Sequence, residues 1–563
     1  MRINRRVVFF GVICAAVAGG ASAATVAGAV ISNGKAMTGA MITLTSADGM
    51  YSETVLSDAS GRYRLTTAQH GALKLRARAA LSADDTVEVE LPSSDAQVAH
   101  NFSLRALTSP QEISDSLPAS AHIAKVKFPT EVQREVFQLD CVECHQTGAP
   151  ATRRPRSLQE WEALMPSMLH GAEYTSNLHA KDYAAAMHAA FNGSPTQNHE
   201  ETRVDADALN SRITEWKLPH ALAAHDTEYY APTATFFSVD MYIDDLYATD
   251  TKTNTTTDIP IPAFGIPIGG TFAGQKDLPL YVKNIRHGLH SLVLGSDGLY
   301  YMTGAIGGDI VVFDPAKQKF LAAYPVWHGA EVGHTPRFDA NGMLWFTLYA
   351  SNQVGRFDPK TKHMTVIDLP NNWAHKEIVE RPAAVYGIDI NPLDGSVWYT
   401  KLYANQIGRI DAKTLQVQEW TPPVFGPRRA RFDNAGGFWI PGFGDGKIAR
   451  LDTKTMKYTI FKIPTLGPDE VEAPYAVAIE PKTQDVWVST NISDRMFRYE
   501  PKTQRWTAYP MPTRGLVTRD VVFTPDGRVC GASNPWGVPF PGLVEGNLDS
   551  VICLQPDIRK ASF

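Results

Sequence analysis

The sequence predicts a multidomain, mainly β chain: a small β-sandwich, then a small α-helical domain, then a six- to seven-bladed β-propeller. Three observations carry this. Residues 24–106 alternate in hydrophobicity with period two between closely spaced turn signals. Residues 107–230 change to helical spacing. From 231 to 563 one unit recurs, its second-strand aromatic falling at Tyr301, Trp345, Trp398, Trp439 and Trp487, with Cys530 sixth. The gaps of 44, 53, 41, 48 and 43 residues are those of propeller blades. At 563 residues the chain is too long for one domain, and 44% hydrophobic with 20% charged residues excludes wholesale disorder. A net charge of -6 argues against nucleic-acid binding.

The first element reads as a targeting segment. Arg2, Arg5 and Arg6 precede the apolar run Val7 to Ala18, and Ala21-Ser22-Ala23 has the small-x-small form of a cleavage site. The expectation is a signal peptide over 1–23 and an exported, periplasmic protein. The run is too short to span a bilayer, so no membrane span is expected in the mature chain. The sandwich follows over 24–106, with strands such as Ile42-Thr43-Leu44-Thr45 and Val87-Glu88-Val89-Glu90-Leu91. The stretch Ala40-Met41-Ile42-Thr43-Leu44, then Ser57-Asp58-Ala59-Ser60-Gly61-Arg62-Tyr63, resembles the carboxypeptidase regulatory-like family. That resemblance implies a transthyretin-like accessory sandwich without catalytic groups.

In the helical segment Trp161, Leu164, Met165 and Met168 mark one helix face; Tyr183 to Phe191 and Ala208 to Trp216 read as two further helices. Cys141-Val142-Glu143-Cys144-His145 has the Cys-x-x-Cys-His form of covalent haem attachment. Two thiols on one turn bond the vinyl groups and leave His145 under the iron. A zinc half-site would want a second cysteine pair nearby, and a redox dithiol would want a βαβ context. One covalent haem c is therefore expected on Cys141 and Cys144, with His145 as proximal axial ligand. Arg153-Arg154-Pro155-Arg156 through Trp161, then Met165-Pro166-Ser167-Met168, resembles class I-type cytochrome c domains. The resemblance implies a distal methionine, Met168 by preference, with Met165, His170 and Met187 as alternatives and an electron-transfer role.

In the propeller, a turn after the third strand appears at Asp250, Asp314, Asp358, Asp411, Asp452 and Glu500, and in weaker form at Gln555-Pro556. Seven turns against six clear strand pairs leave the blade number at six or seven. Trp345-Phe346-Thr347 and Val354-Gly355-Arg356-Phe357-Asp358-Pro359 resemble the streptogramin (virginiamycin B) lyase family of seven-bladed propellers. Aligned on their turns, the repeats give one column before each innermost strand: His290, His334, Tyr386, Arg428, Tyr475 and Arg519. In a propeller such positions ring the central channel. The arginines suit an anionic or carbonyl-bearing small molecule; the imidazoles suit acid–base work or a divalent metal. The lyase resemblance implies histidines, carboxylates and magnesium acting in elimination, from which Arg428 and Tyr475 depart. Cys530 and Cys553 fall on adjacent strands of the last blade and are expected to form a disulfide.

The combination suggests an electron-transfer haem protein coupled to binding or oxidation of a small molecule at the propeller mouth, with a redox partner protein. Two alternatives differ in class: a C–O lyase carrying the haem segment as a separate module, and a non-catalytic redox partner or scaffold.

Overall fold

The computed structural model describes residues 23–171, 179–196, 204–275, 282–326, 331–376, 379, 382–533 and 542–559. The expected signal segment lies outside them except for Ala23.

Seven blades form the propeller. Blade one runs Ala224–Tyr230, Thr235–Asp240, Asp245–Asp250 and Thr255–Pro260, and five further four-stranded blades begin at Leu289, Gly333, Val385, Arg431 and Pro474. Blade seven takes Val522–Phe523, Val529–Ser533 and Asp549–Gln555, and its outer strand is Arg212–Leu218 from the far end of the propeller sequence. Ile213 lies opposite Leu554, Thr214 opposite Cys553 and Trp216 opposite Val551, so the ring is closed by a backbone ladder. Cys530 and Cys553 face each other across the neighbouring ladder and are disulfide-bonded, with Cα atoms 4.1 Å apart. The bridge fastens the strand that receives Arg212–Leu218; it does not itself cross the seam.

The free edge of Arg212–Leu218 pairs with Tyr51–Leu56, and the sheet continues through Met41–Thr45 and Gly71–Arg78 to Asp85–Leu91. The N-terminal sandwich thus shares one eight-stranded sheet with blade seven. A second sheet around Ala24–Ser32 covers it, burying Val26, Leu44, Leu65, Leu75 and Phe102.

The expected α-helical cytochrome c domain is corrected by this fold, which is mainly β. Between the sandwich and the propeller there are five helices among the described residues: α1 (Pro110–Ser116), α2 (Ala119–Ile123), α3 (Glu131–Cys141), α4 (Leu158–Gly171) and α5 (Ala180–Ala190). None exceeds 14 residues. The predicted helix over Ala208 to Trp216 is instead a single 3-10 turn and a strand. Ladders on both edges of Ile213, Thr214 and Trp216, β-branched and aromatic residues, outweigh the local periodicity. None of the described helices is long and apolar enough to cross a membrane.

The short helices matter for what α3 does. Thr130 caps it, its hydroxyl accepting the Gln133 N–H while the Gln133 side chain accepts the Thr130 N–H. Phe137 packs inward with Trp161, Met165, Tyr183 and Met187. The opposite face, Val136 and Leu139 with the following Val142, packs on Tyr386, Tyr403, Phe443 and Tyr475 of the propeller. Gly426, at φ 69°, makes room for it: a Cβ there would lie 2.4 Å from Leu139 Cδ2. Gln138 locks the register by donating to the carbonyls of Phe443 (2.7 Å) and Glu472 (2.8 Å). The Cys-x-x-Cys-His segment therefore lies across the propeller's central channel.

Candidate functional site

Each blade places one side chain at the mouth, from its inner strand or, for Arg428 and Arg519, from the residues just before it, and the structure brings all six expected residues together. Blade one supplies a seventh, His225, giving a ring of His225, His290, His334, Tyr386, Arg428, Tyr475 and Arg519, none more than 4% exposed. His225 escaped the sequence reading because its strand fell in the span read as helical. The signal was Ala224-His225-Asp226, together with a seventh turn at Asp250 that required two strands before it.

The three imidazoles are in contact, His290 lying 3.8 Å centroid to centroid from both His225 and His334 with the ring planes tilted by 37° and 36°. Burial, then like charges nearby, holds all three well below the usual histidine range, so they are neutral. The partner of His225 fixes its tautomer: Nδ1 donates to Asp226 Oδ1 (3.0 Å), because that oxygen only accepts, and Nε2 keeps a lone pair. His334 Nδ1 lies between the Thr335 hydroxyl (2.9 Å) and the Tyr386 carbonyl (3.1 Å). His290 Nδ1 is buried without a partner.

The other half of the ring is cationic and phenolic. The Arg428 guanidinium sits over Tyr386, Phe443 and Tyr475 at 4.5, 4.1 and 4.1 Å. The Tyr386 and Tyr475 hydroxyls are 2.6 Å apart, and burial pushes Tyr386 far above the phenol range.

A second tier, one residue further along the strands, fixes the first. Arg429 Nη1 reaches both oxygens of Asp226 (2.8 and 2.7 Å) and Asp520 (3.1 Å), and Asp520 also pairs with Arg337 and Arg431. None of these residues was expected at the site from the sequence, although Asp226, Arg429 and Asp520 each directly follow a ring position and Arg337 and Arg431 lie three residues beyond one.

The residue that links ring and haem motif is Glu143, between the two cysteines. Its Oε1 accepts from Arg428 Nη2 at 2.7 Å, its Oε2 accepts from the Tyr403 hydroxyl, and its carbonyl accepts from Arg519 Nη1 at 3.2 Å. Gln146 fastens the segment's other end to Asp494 and the Leu516 carbonyl. Beneath Glu143 remains a cavity of about 40 Å³, lined by His225, His290, His334, Tyr349, Tyr386, Tyr475 and Arg519. That is room for about one water-sized ligand. A larger cleft of about 440 Å³ lies apart, between α1, α2, Pro150–Pro155 and Phe191–Ser194.

Cys141 and Cys144 are half-buried, and Cys141 packs against the Trp161, Met165, Met187 cluster. His145 is pushed down to about 4 by burial, and its Nδ1 has no hydrogen-bond partner. Met168 is 37% exposed on α4, whereas Met165 and Met187 are 3% and 4% exposed. The His170 side chain lies outside the described residues. His225, Asp226 and His290 offer ligand atoms all within 4.8 Å of one another, a spacing a metal ion can use. Asp226, however, is already bonded to Arg429, Ser291 and His225.

No family model matches the chain, and no curated protein does. Among solved structures it is similar to virginiamycin B lyase from Staphylococcus aureus (17% identity, TM-score 0.47, covering 61% of this chain and 99% of that one). It is likewise similar to a streptogramin B lyase (18%, 0.49, 62% and 99%) and to the WD40 repeats of RRP9 (10%, 0.46, 64% and 99%).

Proposed function

We propose that the chain is an exported redox protein in which one haem c, attached at Cys141 and Cys144, serves a small-molecule site in the propeller mouth. The observation that carries this reading is the docking of the motif: Glu143 lies between the two cysteines and is ion-paired with the ring residue Arg428. The residues fit the group. Cys141 closes α3, Cys144 follows in the loop, and His145 is neutral with an unpartnered ring nitrogen, as an iron ligand requires. Met165 and Met187, buried in the cluster that Cys141 touches, would offer the group a more protected sulfur than the exposed Met168. Haem bound there would supply reversible one-electron chemistry.

The chain's own residues do the rest. Arg428 and Arg519 draw an anionic or carbonyl-bearing ligand, which competes with Glu143 for Arg428. His225 presents an Nε2 lone pair that can take a proton. The ring aromatics and Glu143 exclude water.

A second reading is favoured by the neutral imidazoles: they supply the base that a lyase-type elimination of a C–O bond needs, and His225, Asp226 and His290 could hold a divalent ion for it. The experiment is to record the visible spectrum of the purified, oxidised full chain while small anionic and carbonyl compounds are added anaerobically. The redox reading expects a haem spectrum, reduction by one compound, and loss of that reduction in His334→Ala or Arg519→Ala. Absence of covalent haem would overturn it. Consumption of a compound with the haem left oxidised would favour the lyase. Reduction only by a partner protein would leave a carrier.

A further inference from the structure

Where α2 meets blade six, two carboxylates are buried with only hydroxyls close by, Ser120 beside Glu470 and Ser493 and Thr490 beside Glu472. Glu470 and Glu472 are 3% and 1% exposed, and all four carboxylate oxygens lack a hydrogen-bond partner. Two neighbours are in the same state. Asn491, 0% exposed, is tied by its N–H to the carbonyl of Ala473 (3.2 Å), beside Glu472, and neither its Oδ1 nor its Nδ2 has a partner. Ser120 of α2, also 0% exposed, donates its N–H to the Ile492 carbonyl (2.8 Å). Its hydroxyl stands close enough to Glu470 to act on that carboxyl, yet is unpartnered. Native interiors hold few unsatisfied polar groups, and an ionised carboxylate is the costliest of them.

We propose that Glu470, Glu472, the Asn491 side-chain oxygen and the Ser120 hydroxyl form a calcium site that clamps α2, and with it the Cys-x-x-Cys-His segment, onto blade six. The donor set is all oxygen, which selects a hard cation over zinc or copper. Calcium takes six to eight oxygens in flexible geometry and can complete its shell with carbonyls and water, whereas magnesium demands a near-ideal octahedron. Arg495 acts on both carboxyls through space and offsets part of their charge. Gln138 of α3 bonds the Glu472 carbonyl, so the site's backbone is continuous with the helix that ends in Cys141. The site does not depend on the haem reading.

The test uses the full chain stripped with EGTA, re-equilibrated with calcium, desalted and assayed for metal content, alongside thermal unfolding with and without calcium. About one calcium per chain is expected, with an unfolding midpoint raised by about 5 °C at millimolar calcium and less by magnesium. Glu472→Gln should weaken calcium binding at least tenfold. Asp469→Asn, on an exposed residue paired with Lys127, should leave it unchanged. Should Glu472→Gln fail to fold, Glu470→Gln and Ser120→Ala carry the same titration. A chain that retains no calcium and whose midpoint calcium does not move overturns the proposal. So do folded variants at Glu470 and Glu472 that bind calcium like the parent.

Discussion

Replacing Glu143 by glutamine keeps the side chain's shape and removes the charge that holds the motif over the mouth. Its carboxylate lies 2.7 Å from Arg428 Nη2, and Arg428 is fully buried. With charge centres about 4 Å apart and an effective dielectric near 20, the attraction is about 4 kcal/mol. Part of it survives the change. The guanidinium still lies over three aromatic rings, contacts worth about 0.5–2 kcal/mol each, and the amide oxygen can still accept one hydrogen bond. Glu143→Gln should therefore cost about 2–3 kcal/mol, and Arg428→Met, which strands the carboxylate, at least as much. Joined in one chain they remove both charges, so a double-mutant cycle should return a coupling of about 2 kcal/mol. The assay is urea unfolding of the four proteins followed by tryptophan fluorescence, with protease sensitivity around residues 141–147 as the local readout. A coupling within about 0.5 kcal/mol of zero, with the segment equally protected in all four, would refute the claim that this ion pair docks it.

Other expectations bear on separate parts of the fold. His334→Asn removes an imidazole that the folded ring keeps neutral while the unfolded chain protonates it below about pH 6.5; stability is lost as pH falls, by about 1.4 kcal/mol per unit. The parent-minus-variant stability difference should slope accordingly between about pH 6.5 and 5 and level off above about 7.5; a flat difference counts against buried neutral histidine. Cys553→Ser opens a bridge between residues 23 apart and should lower stability by about 3 kcal/mol, read by denaturant midpoint against the reduced parent, which should match it. Gly426→Ala puts a Cβ on Leu139 at a positive φ and should loosen α3 by about 1–2 kcal/mol, seen as faster proteolysis or amide exchange there with the propeller unchanged. Thr214→Pro breaks ladders on both edges of the strand shared by blade seven and the sandwich, and should separate their unfolding transitions in calorimetry.

The propeller was legible because its signals are local: an aromatic in five second strands, with Cys530 at the sixth, and a polar or ring-bearing residue at or just before the start of each first one. These survive alignment by eye from Leu289 onward. Blade one lacks the Asn-Gly type of turn, and blade seven borrows Arg212–Leu218, so neither is a contiguous repeat in the chain. The same borrowing explains the misread helix, since Arg212–Leu218 is a strand on account of neighbours about 160 residues before it and 340 after it, at Glu53 and Cys553. Glu143 was hidden for a different reason. It stands inside a motif whose cysteines and histidine account for themselves, and its purpose exists only once Arg428, 285 residues away, lies beside it.

That contact also changes what the ring means. Alone, seven polar and aromatic side chains around a channel would read as an open ligand pocket. With Glu143 in place the two exposed-looking cations of the sequence reading are engaged, one by a carboxylate and one by a backbone carbonyl, and the remaining space is about 40 Å³. The site as it stands already recognises a carboxylate, and that carboxylate belongs to the chain. Any larger anion must displace Glu143, and so disturb the two residues that flank it in the motif, Val142 packed on the propeller and Cys144. Occupancy of the mouth and the environment of the cysteine pair are therefore one mechanical variable, whichever chemistry each performs.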